Sequence, residues 1–484
     1  MIVRPCGGQE VIKLNTYKKP SLRSRLIGDR AFYAQVMKVA VPIVIQNGIT
    51  NFVSLLDNIM VGSVGTNPMS GVTIVGNNLM LVYYLAIFGS LAGAGIFGAQ
   101  FYGNGDVKGV RHAMRFKLLI GVGITILSCL ILLSFQDGLI MGYLKADDIS
   151  PNDVAERLFY AKQYLAIMLV GLFPFAIEEA YSSTLRECGE TTFPMVAGVI
   201  AVFVNLALNY ILIYGNFGFP KLGVAGAAIA TVISRYVQML VVMFWTHAHK
   251  AKMKFVEGLY RGFSIPGQLM KKIVIKGTPL MMNEILWAAG VAIMMRYYSV
   301  RGADIVPALS ISSTISNLFN IVFMAMGSAV AIMVGQLLGA GELEKAKETD
   351  SRLIAFSVMS CLVMGAILFV VAPLFPEFYE TEQSVKNAAT VFIRISACCM
   401  PMFAFLHSTY FTLRSGGKTW VTFLFDSVFM WVASVPLCFV LCNHTTLPIY
   451  PLYICCQMVD LGKCVLGFIL VKKGIWIQNI VADE

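Results

Sequence analysis

Residues 34–61 read AQVMKVAVPIVIQNGITNFVSLLDNIMV. At about 1.5 Å per residue, a helix of this length crosses a bilayer whose hydrocarbon core is about 30 Å thick. Its polar residues Gln46, Asn47, Thr50, Asn51, Ser54, Asp57 and Asn58 recur at three- and four-residue intervals, so they share one helix face. An apolar span with one wet face lines a cavity or a polar seam between helices, and Gln46, Asn47, Thr50 and Ser54 are the residues expected along it. Asp57 lies roughly 28 Å beyond Lys38 along the axis, at or just inside the hydrocarbon boundary. A lone charge there costs about 3 kcal/mol, so it must be paired, protonated or holding a cation. The plainer alternative is an interfacial carboxylate facing water.

The rest of the chain agrees with a membrane solvent. Of its 484 residues, 57% are hydrophobic and 13% charged, with a mean hydropathy of +0.73. Apolar runs recur from end to end, which predicts an all-α polytopic membrane protein. The first 26 residues hold no apolar core, so no cleavable signal peptide is expected. The eleven cysteines are scattered without zinc-ligand spacing and read as small apolar residues.

Spans are drawn at about 34–61, 72–98, 116–135, 159–181, 194–214, 222–246, 273–296, 307–335, 353–373, 389–411, 419–442 and 449–471. Basic residues collect on one side: Lys108, Arg111, Arg115, Lys117, Arg186, the loop 247–272, Lys345, Lys347, Arg352, Arg414, Lys418, Lys472 and Lys473. Asp147, Asp148, Asp153, Glu156, Glu377, Glu380 and Glu382 collect on the other. The positive-inside rule then places both termini in the cytoplasm. The net charge of +10 belongs to cytoplasmic loops beside an anionic leaflet, and nucleic acid is excluded as a partner because no soluble domain carries that charge.

The chain repeats itself. GAQFYGNGDVKGVR at 98–111 returns as VGQLLGAGELEKAK at 334–347, and TLRECGETTF at 184–193 returns as TLRSGGKTWV at 412–421. Pro42 and Pro174 have counterparts in Pro279 and Pro401. The expected organisation is a cytoplasmic tail (1–30), an N-lobe of helices 1–6 (31–246), a basic cytoplasmic linker (247–272) and a C-lobe of helices 7–12 with a short tail (273–484). An even number of spans per repeat relates the two six-helix lobes by a pseudo-twofold axis along the membrane normal. The GxG elements read as a helix stop and restart at the membrane surface, opened by Asp106 or Glu342. Gly417-Lys418-Thr419 lacks the upstream glycine of a phosphate-binding loop, since Thr412 stands there. With no such module, ATP is not the expected energy source.

The run VPIVIQNGITNFVSLLDNIMVGSVG, the GAQFYGNGD turn, the block NLALNYILIYGNFGFPKLGVAGAAIATVISR at 205–235 and the paired TLR elements resemble the multidrug and toxic compound extrusion (MATE) transporters. The resemblance runs from about residue 30 to near the end. It implies export of cationic or amphipathic organic compounds in exchange for protons or sodium ions, no organic cofactor, and a chain acting as a monomer. Asp57 falls on the family's first-span coupling aspartate, Asn205 on the fifth-span asparagine of that ion site, and Thr231 on the sixth-span threonine. Asn209 stands where many bacterial members carry a second aspartate, which weakens the case for sodium while leaving oxygen ligands in Asn205, Asn209 and Thr231.

Glu284, near the middle of the seventh span, is the second coupling candidate and an expected partner of Asp57; the alternative is a glutamate bonded to Asn283 or a neighbouring helix. Asp426 in the eleventh span, His407 in the tenth and Glu178 in the fourth rank below it. His407 reads as a proton carrier or as a satisfied buried histidine. Glu178 and Glu179 read as a solvated helix end, with an ion pair to Arg186 as the alternative. A flippase for a lipid-linked oligosaccharide shares the expected fold but calls for a basic central cavity, whereas here lysines and arginines are placed at span ends. A membrane transferase calls for clustered His, Asp or Lys, and His112, His247, His249, His407 and His444 are dispersed.

Overall fold

The computed structural model describes residues 26–144, 150–262 and 264–482, with the side chains of 53–55 and 58 outside that description. The tail up to residue 25, the Asp147–Asp148 pair and the side chain of Ser54 therefore lie outside the described residues. Among the described residues the chain is helical, without strands.

Helix α1 spans Arg30–Gly62, opened by Asp29, whose side chain accepts from Phe32 N. Eleven further helices are long and apolar enough to cross a membrane: α2 Thr66–Gly103, α3 Val107–Leu144, α4 Pro151–Glu187, α5 Thr192–Tyr214, α6 Val224–Ala248, α7 Gly267–Ser299, α8 Ile305–Gly339, α9 Leu343–Val371, α10 Gln383–Ser415, α11 Thr419–His444 and α12 Ile449–Lys472. Each matches one expected span. Helices α3 and α9 begin about nine residues before the apolar runs that identified them, because their amphipathic first turns project beyond lipid, where hydropathy does not register them. Two helices are locally underwound into π turns, α2 at Ile74–Leu79 and α11 at Leu424–Val428 and Met430–Ser434; such turns frequently mark functional positions.

The repeat is visible in backbone geometry. After α2, the amides of residues 104, 105 and 106 bond to the carbonyls of 100, 102 and 101; after α8, those of 340, 341 and 342 bond to 336, 338 and 337. Gly105 and Gly341 have φ of 75° and 76°, and Gly189 and Gly417 have φ of 80° and 71°. Only glycine enters this left-handed region without strain, which is why the motifs keep it there.

The N-terminal half (α1–α6) and C-terminal half (α7–α12) meet along α1, α2, α7 and α8. Small residues permit the close crossings: a Cβ on Gly93 would sit 2.4 Å from Gly277 Cα, and one on Gly103 or Gly339 would sit 1.9 Å from the carbonyl oxygen of Gln336 or Gln100. In a membrane the van der Waals packing that such backbone proximity allows takes the place of the hydrophobic driving force that holds helices together in water.

The segment joining the halves is not a free tether. Phe255, Val256 and Leu259 are buried in the core of the N-terminal half. Arg115, itself buried, donates to the carbonyls of Leu259 (2.9 Å), Gly258 (2.6 Å) and Ser264 (3.2 Å), and Arg111 donates to Phe255 O at 3.0 Å. The basic surface of 247–272 is therefore anchored on α3.

Candidate functional site

Helices α1, α5 and α6 converge on a buried polar cluster. Asn205 and Asn209 stand one turn apart on α5 and point at α1, because i and i+4 residues share a helix face. Both are almost fully buried. Asn209 Nδ2 donates to Asp57 Oδ1 at 2.6 Å and lies 3.1 Å from Asn205 Oδ1. Asn205 Nδ2 donates to Thr231 Oγ1 at 3.3 Å, and Thr231 donates back to Ala227 O at 3.0 Å, leaving its lone pairs to accept. Among the described residues, Asn209 Oδ1 is buried without a hydrogen-bond partner.

The corner of Asn205 that faces Asp57 lies 2.9 Å from Oδ1 and 3.2 Å from Oδ2. If that corner is oxygen, a proton must lie between it and the carboxylate. If Asp57 is charged, turning the amide over presents nitrogen to both carboxylate oxygens. One amide rotation therefore fits the site to either state of the acid. Arg235, one turn beyond Thr231 on α6, acts electrostatically on both Asp57 and Glu178; its guanidinium lies 5.0 Å from the ring centre of Phe175. The sequence reading passed over Arg235, although a charge at the middle of an apolar span was the available signal.

Other candidates fall elsewhere. Gln46 packs against Gly198 of α5, 3.5 Å from where its Cβ would be; Asn47 is half-buried and Thr50 exposed. Glu284 bonds to none of the Asp57 cluster: its described hydrogen bond is a long one, 3.5 Å, from Tyr410 Oη of α10. Asn283, beside it, donates to Asp426 Oδ2 at 2.9 Å and accepts from Ser427 Oγ at 2.7 Å. Asp426 is ion-paired with Lys463 of α12. This corrects the placement of cationic side chains at span ends alone: Lys463 and Lys117 both sit inside the bundle. His407 is held among rings, 5.1 Å from Phe323 and 5.0 Å from Phe411, and fills space left by Gly327.

Glu178 corrects the expectation of a solvated helix end, being 4% exposed with Ser182 Oγ donating to it at 2.5 Å. Glu179, not Glu178, pairs with Arg186, at 2.5 Å. Two buried acids close to the motif turns escaped the sequence reading. Glu187 pairs with fully buried Lys117 at 2.6 Å, and Asp350, also fully buried, accepts from Thr412 at 2.5 Å.

The family model MatE matches residues 42–211 and 279–440. A probable multidrug resistance protein NorM of Thermotoga maritima is 25% identical over 456 residues, covering 92% of this chain and 94% of that protein. A probable multidrug resistance protein YoeA of Bacillus subtilis is 26% identical over 357 residues, covering 72% and 75%. A solved structure of a multidrug resistance MATE family transporter in an outward-facing conformation superposes with a TM-score of 0.80 at 20% identity, covering 95% of this chain and 98% of that one.

Proposed function

Because the chain belongs to the MatE family, whose members are membrane transporters and not enzymes, we propose that it is a secondary antiporter exporting cationic or amphipathic organic compounds in exchange for protons or sodium ions. The observation that carries this reading is the cluster of one carboxylate and three oxygen- or nitrogen-bearing side chains, Asp57, Asn209, Asn205 and Thr231, buried in the N-terminal half. The side chains of such a cluster offer a carboxylate and amide and hydroxyl oxygens to a proton or a small cation. Its single acid is the group for which an inorganic ion and an organic cation compete, and competition for one charge is a sufficient source of coupling.

The two halves rock as lobes, 31–246 against 273–484, with the linker 247–272 and both termini on the cytoplasmic side of a bacterial plasma membrane and the chain working as a monomer. When the coupling ion neutralises Asp57, the Asn205 amide turns and the polar face of α1 repacks. The organic cation loses its counter-charge and leaves outward. Glu284 belongs to a separate polar group in the C-terminal half with Tyr410, and acts there as a second coupling acid. Asn209 Oδ1, without a donor among the described residues, is the added oxygen that a sodium ion would use.

Efflux of a fluorescent organic cation from proteoliposomes under separately imposed proton and sodium gradients tests the reading. Efflux following one or both gradients supports it, and efflux indifferent to both removes it.

A further inference from the structure

The repeated motifs end in a pair of side chains that cross between the halves in mirrored fashion. Gln100 on α2 donates to the carbonyl of Ser415 at the end of α10, at 2.9 Å. Gln336 on α8 donates to the carbonyl of Glu187 at the end of α4, at 2.7 Å. Gln100 and Gln336 occupy the same place in GAQFYGNGD and VGQLLGAGE, and Glu187 and Ser415 the same place in TLRE and TLRS. Each half thus caps the last residue of the other's fourth helix, while the carbonyls just before it bond to the turn that follows, 185 and 186 to the amides of 190 and 189, and 413 and 414 to those of 418 and 417.

Both acceptor ends are held rigid from within their own half. Lys117 fixes Glu187, and Asp350 fixes Thr412, one turn before Ser415. One side carries an added strap. After α12 the chain turns back, buries Trp476 and Val481, and meets Gln100 twice: Gln100 Nε2 donates to Gln478 O at 3.2 Å, and Ile480 N donates to Gln100 Oε1 at 2.9 Å. Asn479 completes it by donating to Gly339 O at 3.0 Å. Apart from Ser90 Oγ donating to Met281 Sδ at 3.3 Å, deeper along α2 and α7, the described side-chain hydrogen bonds between halves gather at the end where the linker and the motif turns lie.

We propose that Gln100 and Gln336 are the twin gate residues of the transport cycle, closing the linker end of the cleft, and that the C-terminal strap 474–481 locks the Gln100 side of that gate. The proposal rests on alternating access as proposed above and assigns the contacts that must break in it. The two sides are unequal. Gln336 contributes one interlobe hydrogen bond, whereas Gln100 contributes three, so opening is controlled chiefly by release of the strap from Gln100.

Ala99, 3% exposed, faces Gly335 across this contact, a Cβ on Gly335 standing 3.0 Å from that of Ala99. Reconstituted Ala99→Cys protein is treated with a maleimide and alkylation is read site by site by mass spectrometry, with the buried native Cys361 of α9 reporting any general loosening. Adding Gln336→Ala raises the rate at residue 99 about threefold, the effect of one hydrogen bond between membrane helices, and Gln100→Ala raises it about tenfold or more, with Cys361 unchanged in both. Equal rates in all three proteins, or a rise shared by Cys361, overturn the gate.

Ala99→Cys with Gly335→Cys gives an independent measurement, since that spacing is about 0.5 Å short of the 3.5–4.5 Å Cβ separation of a disulfide and a small separation of the two helices accommodates the bond. The reduced protein transports and the oxidised protein does not; gradient-driven efflux undiminished by the cross-link overturns the proposal while leaving the antiport reading standing. Parent protein without gradient-driven efflux overturns the antiport reading, and the gate with it.

Discussion

Replacing Asp57 by asparagine removes one charge and almost no volume. Asn209 Nδ2 sits 2.6 Å from Asp57 Oδ1, and an asparagine at 57 meets it with its amide oxygen, so the cluster stays packed and stability changes by less than about 1 kcal/mol. The electrostatic effect is larger. An organic cation about 5 Å from the carboxylate, at an effective dielectric constant of about 20, gains about 3 kcal/mol from the charge, a factor of about a hundred in affinity. Arg235 also acts on this carboxylate and reduces that figure, so a loss of ten- to a hundredfold is expected for Asp57→Asn. A neutral analogue of the same shape should bind parent and variant alike. Equilibrium binding of the charged and neutral members of such a pair to purified protein measures both, and the same proteins in vesicles report coupling. Equal binding of the cation to parent and variant, together with undiminished gradient-driven efflux, would refute the assignment of Asp57 as the shared site.

Asn209→Asp should place a second carboxylate within hydrogen-bond distance of the first, so that the pair requires a cation or a shared proton; sodium stimulation of efflux should rise severalfold, and transport assays with and without sodium check it. Gly339→Ala drives a methyl to within 1.9 Å of Gln100 O and should cost about 1–3 kcal/mol, whereas Gly123→Ala, with nothing within 4 Å, should cost nothing; melting temperatures in detergent compare them. Lys463→Met leaves Asp426 with Asn283 as its remaining described partner and should lower stability by about 3 kcal/mol. Adding Asp426→Asn should recover most of that loss in the same melting assay, since no unpaired charge then remains.

Twelve spans, their places in the chain and the twofold repeat were legible in the sequence, because lipid demands about twenty apolar residues per crossing and left-handed turns demand glycine, and both leave local marks. Asp57 was legible for the same reason, as a charge in an otherwise apolar run. What only the tertiary structure decided is which distant residues neutralise one another. Lys463 meeting Asp426, Lys117 meeting Glu187 and Asn209 meeting Asp57 each join two different helices through residues 37, 70 and 152 positions apart. The same holds for the solvation of Glu178, which looked like an exposed helix end until neighbouring helices covered it. Hydropathy records how each segment prefers its solvent one residue at a time. Pairing depends on the rotation and depth of each helix against its neighbours, and those are set jointly by all the crossings where glycine lets backbones touch.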